Sequence, residues 1–145
     1  LHDENAPDQS STGQLCLVAN QSDVTITRQN KDGTWVVIIP RNYDGGTVIG
    51  GTRDVGDWNP HPDERVRAQM LSNVKATYPQ LLSDGEEFRV IRDVVGRRPT
   101  REGGARLELE SLEDKRIIHA YGLGGRGYEC SWGVAEHVCA SCHSC

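Results

Sequence analysis

Aromatic and sulfur-bearing core residues are scarce in this 145-residue chain, which has one Phe and one Met and in which aromatics make up 6% of residues. Its core must therefore rest on Val, Leu and Ile. Positive charge is not in excess either. Sixteen Lys and Arg stand against twenty-one Asp and Glu, a formal net charge of −5. That balance argues against a general nucleic-acid binder, which needs a basic footprint to offset phosphate charge. No run approaches the roughly 18 apolar residues of a membrane span, so no membrane partner is expected. The opening LHDENAPDQSSTGQ is acidic and polar, unlike a secretory signal or an Arg-rich transit peptide. Five cysteines, three of them within the last seven residues, do not resemble a secreted disulfide framework. An intracellular protein with reduced thiols is the expectation.

What remains is a chain of one-domain length with clear punctuation. Residues 1–13 read as a disordered leader. QLCLVAN (14–20), VTITRQ (24–29), TWVVIIP (34–40) and TVIGGT (47–52) read as strands of an antiparallel meander, the third fully buried. Asp32-Gly33 and Asp44-Gly45-Gly46 supply its turns. The period then changes. Asp63 and Glu64 open a helix in which Val66, Met70, Val74 and Tyr78 recur every four residues, and Tyr78-Pro79 ends it. EFRVIRDVVG (87–96), ARLELE (105–110) and RIIHAY (116–121) alternate as strands, and SWGVAEHV (131–138) is a plausible last helix. The fold class is α+β, with a mainly antiparallel sheet, one long helix and a C-terminal strand–glycine loop–helix.

That final loop, Gly122-Leu123-Gly124-Gly125-Arg126-Gly127, spells G-x-G-x-x-G. A dinucleotide fingerprint needs a helix, a second strand and an acidic residue about 20 positions on. Only 18 residues follow Gly127, and they end in a Cys-rich tail, so a complete unit does not fit. Two readings stay open: a plain strand-to-helix turn, or a loop whose bare backbone touches a cofactor held elsewhere.

Three stretches bear on that choice: IIPRNYDGGTVIGGTRDVGDWN (38–59), VVGRRPTREGGARLE (94–108) and IIHAYGLGGRGYECSWGVAEHV (117–138). Together they resemble, in order, the C-terminal half of the FAD-dependent D-amino-acid and D-aspartate oxidases. GQLCLV (13–18) is similar to that family's R-G-Q strand, with Thr12 where the Arg usually stands. The resemblance makes residues 14–138 an oxidase-like substrate-binding region and 139–145 an atypical tail. It implies an FAD cofactor and oxidation of a D-amino acid by O₂ to a 2-oxo acid, NH₃ and H₂O₂.

By position, the resemblance implies that Arg98 anchors the substrate α-carboxylate and that the Gly125 carbonyl faces the substrate nitrogen. It implies that Gly124, Gly125, Arg126, Gly127, Tyr128 and Glu129 contact the flavin. A guanidinium suits the anchor because it offers two parallel donors and keeps its charge. Arg53, in GGTRDVGDWN, resembles the D-aspartate oxidase form of that segment and would meet an acidic side chain; an exposed strand-end arginine is the other reading. No catalytic acid–base pair is assigned, because the cofactor carries the hard step.

Several departures matter. The family's N-terminal FAD-binding Rossmann part is missing here, which suggests a fragment completed by another chain segment or a homodimer partner. Val37 stands where the family usually has a substrate-contacting tyrosine, and CASCHSC replaces the peroxisomal Ser-Lys-Leu type of ending. By family the location is peroxisomal or cytoplasmic. Cys139-x-x-Cys142-x-x-Cys145 has iron–sulfur spacing but no fourth Cys, and no metal site is expected. The alternative function is a catalytically inactive module that does not retain FAD.

Overall fold

The computed structural model describes residues 11–83 and 85–143. They form two compact bodies, one of residues 12–54 and 58–96, the other of residues 97–143 with 55–57 and Ser11.

The first body is a sheet covered on one face by a helix. Strands β1 (Ser11–Val18), β2 (Ile26–Gln29), β3 (Trp35–Pro40), β4 (Thr47–Gly50) and β5 (Asp54–Val55) lie in the order β2-β3-β4-β1-β5. A further strand, β6 (Val90–Arg98), also pairs with β1. The β1, β2, β3 and β4 pairings are antiparallel, with Cys16 opposite Ile49, Ile49 opposite Ile38, and Ile38 opposite Ile26. One row of apolar side chains thus runs across four strands. Helix α1 (Glu64–Thr77) lays Met70 and Val74 onto that row, with Val66 and Tyr78 packed at its margins. The four-residue spacing read from the sequence is the spacing that faces the sheet.

Polar side chains fix where α1 begins. Asp63 caps it, its carboxylate accepting from the Arg65 amide at 2.7 Å. The buried Gln14 amide on β1 then grips the cap residue twice. It donates to the Asp63 carbonyl at 3.0 Å and accepts from the Asp63 amide at 2.9 Å. Asn20 treats the entry to β6 alike, accepting from the Arg89 amide at 2.9 Å and donating to the Glu87 carbonyl at 3.3 Å. Between α1 and β6, Arg67 donates to the buried Asp93 carboxylate at 2.7 Å. Burial first, and the Asp93 charge second, push the Cys16 thiol up to about 11, so this core sulfur stays protonated at neutral pH.

Four readings of the sequence change. Strand β1, expected beside β2 in a four-strand meander, pairs with β4 instead, so only β2, β3 and β4 follow one another as hairpins. Residues 11–13, expected in the leader, belong to β1, while residues 1–10 lie outside the described residues. Strand β6 starts at Val90 rather than Glu87 and runs through Arg98. Strand β3 is buried on one face only, with Val36 and Ile38 inside and Trp35 and Ile39 exposed. A continuous apolar run cannot by itself tell a strand buried on two faces from one buried on a single face.

In the second body, β7 (Arg106–Leu112) and β8 (Lys115–Tyr121) form an antiparallel hairpin closed by the two-residue turn Glu113-Asp114. Glu113 takes the positive φ, 55°, that such tight turns demand. Helix α2 (Ser131–His143) packs on both strands. It continues through the CASCH segment that the sequence marked as a tail. No helix among the described residues is long and apolar enough to cross a membrane.

Candidate functional site

The end of β6 and the glycine loop meet within the second body. Gly124 donates its amide to the Pro99 carbonyl at 2.9 Å, and Thr100 bridges to Leu123. A Cβ placed on Gly125 would lie 3.5 Å from Arg98 Cδ and 3.7 Å from its Nε. The arginine stem therefore lies along the bare face of that glycine. Arg98 and Gly125, 27 positions apart in sequence, are neighbours in the fold.

Glycine is required at the mouth of this loop. Gly122 has φ of 82°, and a Cβ there would sit 2.8 Å from Arg101 Cβ. Arg101 covers Gly122 with its stem while its guanidinium donates to the Glu102 carbonyl at 3.1 Å and the Gly104 carbonyl at 3.4 Å. Gly124, Gly125 and Arg126 form a single 3₁₀ turn ending at Gly127. Tyr128 is almost wholly exposed, and Arg126 pairs with Glu129 at 3.5 Å on the surface. The space a side chain would take at Gly124 and Gly125 is filled by Thr100 Cγ2, 3.1 Å from a Cβ placed on Gly124, and by the Arg98 stem.

Arg53 lies in the first body, on the wall of a cavity of about 440 Å³. Trp35, Val66 and Met70 give that cavity apolar walls, and Gln69 and Asn73 give it side-chain amides. An arginine at the rim of such a cavity can receive a carboxylate. Val37, on β3, is half-buried and carries no polar group for a ligand.

One polar cluster had no signal in the sequence beyond strand alternation. Arg106, Glu108 and Glu110 of β7 share a face with His119 and Tyr121 of β8, because the register sets Glu108 opposite His119 and Arg106 opposite Tyr121. His119, buried, donates from Nε2 to Glu110 Oε2 at 2.7 Å, and Arg106 donates to the same oxygen at 2.9 Å. The His119 bond, opposed by burial and reinforced by the Arg106 charge, holds the Glu110 carboxyl below the usual carboxylate range. A carboxylate of lowered pKa binds protons less readily in the folded state, so its stabilisation is complete above about pH 4.3, the unfolded value. It is lost as pH falls through the lower folded value. Thermal melts of the wild type should therefore be level from neutrality to about pH 4.5 and decline below it, and Glu110→Gln should flatten that decline. An equally steep acid loss in the variant would place the effect elsewhere.

Cys130, Cys139 and Cys142 are unpaired thiols, and Cys145 lies outside the described residues. No group of three metal-ligating side chains converges among the described residues.

The fold is shared with two solved glycine oxidases. Glycine oxidase from Geobacillus kaustophilus superposes with a TM-score of 0.69 at 20% identity, over 91% of this chain and 34% of that one. Glycine oxidase from Bacillus cereus gives 0.65 at 20% identity, over 83% and 32%. In sequence, residues 2–141 match the DAO family, FAD dependent oxidoreductase. A D-aspartate oxidase of Talaromyces thermophilus is 53% identical over 127 residues, 87% of this chain and 34% of the relative. A D-amino-acid oxidase of Fusarium vanettenii is 38% identical over 133 residues, 87% of this chain and 37% of the relative. The chain belongs to the DAO family of FAD-dependent oxidoreductases. It spans about a third of the length of these relatives.

Proposed function

We propose that this chain is the substrate-binding part of an FAD-dependent oxidase that deaminates D-amino acids, D-aspartate foremost, to 2-oxo acids, NH₃ and H₂O₂. The observation that carries the reading is the contact between the Arg98 stem and Gly125. It sets a fixed positive charge beside the glycine loop. Arg98 takes the α-carboxylate through two parallel donors, and the Gly125 carbonyl accepts from the substrate amino group. The two contacts orient the Cα–H bond for transfer. FAD, when bound, would supply the two-electron sink that O₂ then empties, being reduced to H₂O₂. Gly124, Gly125, Arg126, Gly127, Tyr128 and Glu129 form the flavin-facing loop, and the rest of the cofactor is held by a FAD-binding segment or a second copy.

The D-aspartate preference rests on the 53% identity to a D-aspartate oxidase and on the place of Arg53 in the GGTRDVGDWN segment. In FAD-loaded protein containing this chain, Arg53→Ala should cut the D-Asp over D-Ala selectivity about tenfold or more, the worth of one charge-assisted contact. Unchanged selectivity would overturn a role for Arg53 in substrate choice. The wider reading is tested by product balance. The loaded protein should release H₂O₂ and NH₃ in equal amounts from D-Asp and none from L-Asp. Failure to retain flavin or to make peroxide would favour an inactive module.

A further inference from the structure

The end of α2 carries two thiols that the reaction above does not use. Cys139 and Cys142 are both reduced and exposed. They stand three residues apart on one helix, so their Cβ atoms share a face at about 5–6 Å. A disulfide asks for Cα atoms about 4.4–6.8 Å apart and Cβ atoms about 3.5–4.5 Å apart. One helical turn meets the first condition and misses the second by about 1–2 Å. The shortfall falls where the helix yields most readily, because Cys142 is the last residue but one of α2. Two local bonds lie in that turn: His143 Nδ1 donates to the Cys139 carbonyl at 2.6 Å, and Ser141 Oγ donates to the His137 carbonyl at 2.9 Å.

The other described thiols differ. Cys16 is fully buried and kept protonated, and Cys130 is half-buried at the start of α2, away from the pair. The family match stops at residue 141, so Cys142 falls outside it.

We infer that Cys139 and Cys142 are a peroxide-responsive dithiol that closes to an intrachain disulfide and opens the last turn of α2. The oxidant is a hydroperoxide. The Cys139 thiolate attacks one peroxide oxygen and the O–O bond breaks, leaving a sulfenic acid and one water. The Cys142 thiolate then attacks that sulfur; the S–S bond forms and the hydroxyl departs as a second water, with protons drawn from the two thiols. Two thiols and one H₂O₂ become one disulfide and two H₂O. Closure strains the helical turn, so the bond is readily reduced by thiols. The proposed oxidase reaction would supply the peroxide, and only that source rests on the functional reading. The dithiol chemistry is tested with added peroxide and stands or falls alone.

The experiment treats the reduced 145-residue chain with H₂O₂, cleaves it after glutamate, and weighs the peptide of residues 137–145. That peptide should lose two hydrogens, about 2 Da, and regain them with a dithiol reductant. Cys145→Ser should leave the loss intact; Cys139→Ser and Cys142→Ser should each abolish it. In Cys142→Ser, Cys139 should stall as a sulfenic acid that a cyclic 1,3-diketone traps. Amides of residues 139–143 should exchange about tenfold faster in the oxidised chain, as expected for one opened turn. Loss of the bridge in Cys145→Ser, chain-to-chain dimers in its place, or oxidation that leaves both thiols free would each overturn the inference.

Discussion

Arg98→Ala should lower kcat/KM for D-aspartate about a thousandfold in FAD-loaded protein, chiefly by raising KM. Removing one partner of a desolvated, hydrogen-bonded charge pair costs about 2–5 kcal/mol, and 1.4 kcal/mol is a factor of about ten. Arg98→Lys should recover only part of the loss, because an ammonium cannot present two parallel donors to a carboxylate. The neighbouring Arg97 is the internal control. It is exposed on the same strand, and Arg97→Ala should leave KM within about twofold, as for a solvated surface charge. Steady-state kinetics on the three variants decide the matter. Equal effects at the two positions would show that general positive charge, and not the Arg98 guanidinium beside Gly125, attracts the substrate.

The largest expected effect on stability lies in the first body. Ile38 is fully buried in the row formed with Cys16, Ile49 and Ile26, beneath Met70 and Val74. Ile38→Ala removes buried methyl groups and leaves a cavity that a sheet pinned on both sides cannot collapse. About 3 kcal/mol should be lost. Ile39, the next residue, is 42% exposed on the opposite face, and Ile39→Ala should cost less than about 1 kcal/mol. Urea unfolding of both variants separates the two faces of one strand. Similar losses would mean that the second face of β3 is as tightly packed as the first.

These two positions show how unevenly structure is written in the residues. The α1 face was legible because helical periodicity is a local property, and Met70 and Val74 bury as their spacing requires. The β2–β3–β4 pairings were legible too, since Asp32-Gly33 and Gly46 leave short turns that force antiparallel neighbours, but the place of β1 beside β4 was not. Gly46 has φ of 80°, and a side chain there would collide with the Val18 carbonyl. Family membership was legible because three separated motifs recur in order. The hidden parts depend on partners distant in the chain. Nothing local to Gln14 says that its amide will hold the cap of a helix 49 positions on. Nothing in RLELE and RIIHAY marks the Arg106–Glu110–His119 cluster until the Glu113-Asp114 turn sets the register.

The sequence by itself determined which face of α1 turns inward, where the chain turns, and which family its motifs follow. Each of these depends on neighbours within a few positions, or on an order of residues that needs no coordinates. Tertiary structure alone decided that TWVVIIP is buried on one face, that α2 runs on through Cys139 and Cys142, and that Arg98 lies against Gly125. The reason is physical. Burial and contact between distant segments follow from register and packing, and a periodic pattern names the faces of an element without naming what covers them.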